Sequence, residues 1–341
     1  MKNSKINKIL YYIKGVGLDY AIYGIKYKFN DTISDFSRLK YGKELFLRRK
    51  LNCIISKYKK NNKKLRLYSN DKKHLNKFPI WFCWFQGIEN APTIVKNCYN
   101  SLKMNISDKQ EIIVITLDNV EEYIEIPKHI KKKFEDKKIS MALYSDFIRI
   151  ALLSKYGGFW IDSTVLVTSD ISNICENYEF YTKKSDMVEL HFGNYLVQGR
   201  FAIHLVKADN DNFLINFLYD SLYYYYKRFD APIDYYLTNL IVDIAYKEFE
   251  VVRKMFDNLQ VNDHGLESKL NEKLDLKYDN DIYRVYLANM PFQKLSYKAH
   301  EFRKEIDGEE TFYGHICNEY KGELNEKKKK IIKKYNDNNN R

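Results

Sequence analysis

Proline and glycine are scarce, with 5 and 13 among 341 residues. There is little material for Pro/Gly-rich linkers, and no fixed period of solenoid type recurs. No stretch of about 18 apolar residues occurs, so no membrane-spanning helix is expected. The opening, "MKNSKINKILYYIKGVGLDY", has no continuous apolar core of the signal-peptide kind. The five cysteines (Cys53, Cys83, Cys98, Cys175 and Cys317) are odd in number and widely spaced, and no C-x-x-C occurs. That argues against a disulfide framework or a zinc site and predicts buried thiols in a reducing compartment. Residence in the cytoplasm is the expectation.

Core material is plentiful. Hydrophobic residues make up 45% of the chain and aromatics 16%, with 30 Tyr and 20 Phe, which argues against wholesale disorder. The net charge of +12 is unevenly placed. Residues 1–75 hold 20 Lys and Arg against 5 Asp and Glu, and 321–341 hold 8 against 3, leaving −8 on 76–320. A nucleic-acid binder usually carries its charge on the folded module. Basic ends around a mildly acidic body fit either contact with an anionic membrane surface or plainly solvated lysine-rich faces.

Three segments are expected: a basic helical N-terminal arm at 1–75, a folded domain at 76–320 and a Lys/Asn-rich tail at 321–341. In the arm, Ile6, Ile9, Leu10 and Ile13 recur at helical spacing. "FPIWFCWFQG" reads as a buried strand. "NAPTIVKNCYNSLK" reads as a helix, with Asn90 as its cap and Pro92 in its first turn. "EIIVITL" is a β-branched strand, and strand–helix–strand at this spacing predicts a βαβ unit with parallel pairing. Ser140 is placed to cap the helix "MALYSDFIRIALLSKY", and Gly157 to end it. "GFWID" is the next strand, with "TVLVT" continuing or pairing beside it. "YEFYT" and "YLVQGRFAIHLVKA" read as strands, "NFLINFLYDSLYYYYKRF" and "IDYYLTNLIVDIAYKEF" as helices.

The chemistry is concentrated in "SDFIRIALLSKYGGFWIDST". Its helix is apolar on nearly every side, so it is buried. Yet Asp146 and Arg149 stand three apart on one face of it. They either pair with each other or point together into a polar cavity and meet a ligand. Asp162 follows a strand, and ligands of open α/β sheets bind outside the carboxyl ends of strands. A carboxylate there can hold a divalent cation, which in turn holds a diphosphate. Asp162, Ser163 and Thr164 also read as a plain turn.

The whole stretch resembles the pattern SD-x-x-R-x-x-x-L-x-x-x-GG-x-[YW]-x-D-x-[DT] of glycosyltransferase family 32, sugar transferases with a DXD-type motif. The upstream block "IWFCWFQGIENAPTIVKNCYNSLK" is similar to the bacterial capsular polysaccharide synthesis branch of that group, as is "KLSYK" at 294–298. The likeness is good over about 78–170, weaker to about 300, and does not reach 1–70 or the tail. It implies a GT-A-type, Rossmann-like α/β fold, with a mixed sheet flanked by helices. It implies retaining transfer of a hexose from a nucleotide diphosphate sugar, most simply a UDP-sugar, to a capsular or other surface polysaccharide.

The resemblance also assigns residues. Trp84 matches an aromatic that stacks on the nucleotide base, and core packing is the other reading of that indole. Gln86, in the W-x-x-Q/G segment, is assigned to the donor side. Asp146 and Arg149 match a pair at the donor's sugar and phosphates, where Arg149 offers a fork of donors to the diphosphate. Asp162 matches the first Asp of DXD, and Thr164 stands at the second. Together these two are the expected ligands of Mn2+ or Mg2+, with Thr164 weakening the case for tight metal binding. Asp234 is a candidate active-site carboxylate or a helix cap, and Lys298 a candidate diphosphate contact. His264, His300 and His315 have no metal-ligand spacing. The expected partners are a nucleotide-sugar, an oligosaccharide or lipid-linked glycan acceptor and an anionic membrane surface at the inner face of the cell membrane, with no nucleic acid. The rival classes are a sugar-phosphate or nucleotidyl transferase and a non-enzymatic nucleic-acid binder.

Overall fold

The computed structural model describes residues 10–18, 20, 34–61, 73–186, 192–298 and 301–321. Ile6, Ile9, His300 and the tail beyond Lys321 lie outside the described residues. Helical residues 10–15 open the described order, followed by α1 (Ser34–Lys50) and α2 (Asn52–Asn61). Then come β1 (Phe78–Cys83), α3 (Thr93–Met104), β2 (Gln110–Ile115), α4 (Lys128–Glu135), α5 (Met141–Tyr156), β3 (Gly158–Ile161) and β4 (Val165–Val167). The chain continues with β5 (Phe180–Thr182), β6 (Leu205–Ala208), α6 (Phe213–Arg228), α7 (Leu237–Glu248) and α8 (Glu250–Asn258). It closes with α9 (Asn280–Asn289), β7 (Phe292–Lys294) and α10 (Phe312–Glu319).

A five-stranded sheet has the order β2-β1-β3-β6-β5. The β1–β2 pair is parallel, with Phe78 opposite Gln110, and β5–β6 is antiparallel, so the sheet is mixed. The fold is therefore a mixed α/β architecture flanked by helices, with a helical N-terminal region, in the class the sequence predicts. Among the described residues no helix is long and apolar enough to cross a membrane.

The chain divides into two compact units, each drawn from separated stretches. One unit comprises Met1–His74, Asn119–Trp160 and Glu179–Val261. Its centre is α5, which packs on α6. Ser140 Oγ accepts from the Leu143 amide at 3.3 Å and caps α5. Gly157 ends it with φ +70°, and Gly158 follows at +100°. A Cβ on Gly157 would stand 2.6 Å from the Asn210 amide nitrogen. The Gly pair of the motif is thus required by backbone geometry.

Lys40, Lys43 and Lys59 of the N-terminal helices pair with acids of this same unit. Lys40 and Lys247 both pair with buried Asp243, at 3.3 and 2.8 Å, and Arg200 reaches it at 3.0 Å. Glu44 of α1 accepts from Lys247 at 2.6 Å. Lys59 of α2 pairs with Glu248. Part of the positive surplus of the first 75 residues is answered by acids of α7.

The other unit comprises Leu75–Asp118, Ile161–Tyr178 and Asn262–Arg341. In it β1 is buried at every residue after Phe78, as expected of a strand covered on both faces. Helix α3 packs on β4. Ser101 Oγ accepts from the Val167 amide at 3.0 Å, and Asn105 Nδ2 donates to the Val167 carbonyl at 2.9 Å.

Three local expectations are corrected. Pro92, not Asn90, stands at the start of α3 with φ −56° and ψ 152°, because Asn90 closes a short 3-10 turn and donates to the Gln86 carbonyl. Residues 192–197 form a helical turn instead of a strand, and Gln198 and Gly199 end it with φ of +52° and +70°. An apolar run that short carries no period to separate the two states. The segment after Asp162 does not extend β3. It forms β4, which pairs antiparallel with β7, Val165 facing Lys294.

Candidate functional site

Asp162 to Val165 folds as a β-turn, with the Val165 amide donating to the Asp162 carbonyl at 2.9 Å. The turn reading of this tripeptide holds, and the turn fixes where the Asp162 and Thr164 side chains stand. Pairing of β4 with β7 then brings in a residue from 130 positions downstream. Lys294 Nζ donates to Thr164 Oγ1 at 2.7 Å and to Asp162 Oδ2 at 3.1 Å. Its backbone is tied on both sides: the Lys294 amide donates to the Glu267 carbonyl at 2.7 Å, and the Leu295 amide to the Thr164 carbonyl at 2.8 Å. Thr164 is buried, while the Asp162 and Lys294 side chains keep 26% and 27% of their surface open. A charged pair with one open face can meet a ligand and still be held firmly from behind.

Lys294 was not singled out in the sequence, although it begins "KLSYK". The reading there settled on Lys298, four residues on. Lys298 is exposed, its ammonium 5.7 Å from the Tyr297 ring. The available signal was its place as the first residue of "KLSYK". The strand pairing that gives it meaning is long-range.

Trp84 leaves β1 with its amide donating to the Ile115 carbonyl at 3.0 Å. Its indole is half-buried and packs edge-on to Tyr297, ring centres 5.4 Å apart. The Nε1–H is buried and has no hydrogen-bond partner. Buried indole N–H groups are normally satisfied, so this one is a donor in want of an acceptor. Trp81 is fully buried in the core of the same unit. Gln86 is exposed, and its carbonyl is taken by Asn90.

Asp146 and Arg149 lie in the other unit, where they meet each other at 3.1 Å. Arg149 is buried, donates to the Ile203 carbonyl at 2.7 Å, and sits 4.6 Å over the Trp160 ring. Asp234 belongs to that unit too. It pairs with Lys43 of α1, and its Oδ1 accepts from the Tyr236 amide at 2.8 Å, a turn contact just ahead of α7.

The divalent cation implied by the resemblance needs several hard oxygen ligands. Asp162 and Thr164 supply one carboxylate and one hydroxyl, and both already accept from an ammonium. Among the described residues no cluster of three or more His, Cys, Asp or Glu side chains could hold a metal. As it stands, this donor set holds a lysine ammonium and offers a divalent cation one carboxylate and one hydroxyl that the ammonium already engages.

Against this geometry, comparison with known proteins is informative at one level. The family model described as capsular polysaccharide synthesis protein matches residues 30–316. No curated protein and no solved structure matches the chain.

Proposed function

The chain belongs to the capsular polysaccharide synthesis protein family, and from that premise we propose that it is a DXD-related glycosyltransferase with a GT-A-type fold. In this reading it moves a hexose from a nucleotide diphosphate sugar, UDP-linked in the simplest case, to a capsular or other surface polysaccharide acceptor. The observation that carries the proposal is the Asp162–Lys294–Thr164 group, a half-open charged site directly after a sheet strand. Retaining sugar transfer develops positive charge on the sugar ring and negative charge on the departing diphosphate. A fixed ammonium stabilises the second of these. Trp84, with its unsatisfied N–H and its indole edge-on to Tyr297, suits the nucleotide end of the donor. On the family resemblance alone, Asp146 and Arg149 of α5 are assigned to the donor's sugar and phosphates. Asp234, held by Lys43, is the remaining candidate carboxylate. The acceptor is an oligosaccharide or a lipid-linked glycan at the inner membrane face, where lysines of the N-terminal segment not committed to α7 would meet anionic lipid.

The test is incubation of the full chain with UDP-, GDP- and dTDP-sugars and acceptor glycans, reading free nucleotide and product mass. A mass gain of one hexose with release of nucleoside diphosphate supports the proposal. A gain that includes phosphate would identify a sugar-phosphate or nucleotidyl transferase instead. No product with any donor and acceptor would contradict it.

A further inference from the structure

We propose that Lys294 is the cation of this site: its ammonium, held by Asp162 and Thr164, meets the donor's diphosphate, and donor binding needs no metal. This rests on the reading of the chain as a nucleotide-sugar transferase and goes beyond it, to what supplies the positive charge.

The argument is one of charge balance and fixation. Two carboxylates around a dication sum to zero, and so do one carboxylate and one ammonium. Thr164 where a second Asp would stand is therefore what a monovalent cation requires. Two carboxylates around Lys294 would leave a net negative pocket facing a diphosphate. The hydroxyl keeps a hydrogen bond to Nζ, at 2.7 Å, without adding charge. Lysine is a compact point charge with three donors, two of which are used by Thr164 and Asp162. The third is left for a ligand oxygen on the open side, where the pair is about one quarter exposed.

Fixation comes from strand pairing. The Glu267 carbonyl and the Thr164 carbonyl accept from the amides of Lys294 and Leu295, so the base of the side chain cannot swing away. The site is thus preorganised, as an electrostatic catalyst must be. A dication brought to Asp162 Oδ2 would have to displace the ammonium or sit against it. In this account Lys294 is the donor-binding group, and Asp162 and Thr164 are positioning residues.

The experiment is calorimetric titration of the full chain with UDP, GDP and dTDP, in metal-stripped buffer with EDTA and in buffer with Mn2+. The tightest nucleotide is carried forward. A wild-type Kd that changes less than threefold between the two buffers is the expected result, and a change of threefold or more overturns the inference. In EDTA, Lys294→Met is expected to weaken binding at least tenfold and Lys294→Arg to recover most of the loss. A methionine variant that binds like wild type also overturns it. The chelator comparison uses wild-type protein, so it stands even if a variant misfolds. Binding that depends on Mn2+ removes this inference and leaves the transferase reading intact. Failure of all three nucleotides under both conditions removes both.

Discussion

Replacing Arg149 by Met tests whether the buried guanidinium is part of the fold before any ligand arrives. Met restores most of the apolar stem and removes three interactions. The donation to the Ile203 carbonyl at 2.7 Å comes from a charged group and is worth about 1.5–3 kcal/mol. The contact over Trp160, at 4.6 Å, adds about 1 kcal/mol, taken from the middle of the range for such contacts. The pair with Asp146 is discounted, because that carboxylate keeps 20% of its surface in water and can rehydrate. The net loss is about 3 kcal/mol. For a unit of this size each kcal/mol moves the midpoint by about 2–4 °C, so the expected fall is roughly 6–12 °C. Thermal unfolding followed by calorimetry and by circular dichroism reads it directly. Adding Asp146→Asn to the variant should cost less than it does in wild type, because the two side chains share one interaction. A fall under 2 °C for Arg149→Met would refute the reasoning, and would mean the guanidinium holds nothing in the ligand-free protein.

Other consequences are open to quick checks. Of the five thiols only Cys53 is exposed, and burial pushes the Cys98 thiol up to about 12. One fast-reacting thiol with a disulfide reagent is therefore expected in native protein and five in urea, whereas two or more fast thiols before unfolding would contradict the burial. Gly157→Ala is expected to cost at least about 2 kcal/mol, since it strains a backbone at φ +70° and drives a methyl onto the Asn210 backbone; an unchanged midpoint would contradict that geometry. Burial lowers the pKa of His129, which contacts the Tyr223 carbonyl at 3.2 Å. The unfolded chain then binds this proton more readily than the native one, so the contribution is complete above about pH 6.5 and lost as pH falls below it. The drop in midpoint from pH 7.5 to 5.5 should be smaller in His129→Gln, and equal drops would count against the assignment.

Much of this architecture is legible in the sequence because its signals are local. Ser140 and Gly157 bracket α5 through one side-chain oxygen and one positive φ, both tied to residue type. The parallel β1–β2 pair follows from two apolar runs around a helical stripe. What stayed hidden depends on distant partners. That "TVLVT" neither continues β3 nor pairs beside it is decided by Phe292–Lys294, more than 120 residues away. The same pairing delivers Lys294 to Asp162 and Thr164, so the residue that completes the site could not be found by inspecting the motif. In the basic N-terminal segment, a one-dimensional count of charge cannot show that Lys40 and Lys59 are matched by Asp243 and Glu248.

The central claim is that the carboxylate after β3 belongs to a sugar-transfer site. The most direct measurement is the rate of nucleotide release from the preferred nucleotide-sugar, wild type against Asp162→Ala, at saturating acceptor. Loss of the group that holds Lys294 should lower the rate by about 10²-fold, roughly 2.7 kcal/mol of transition-state stabilisation. Release at the wild-type rate from a folded Asp162→Ala protein would contradict the account.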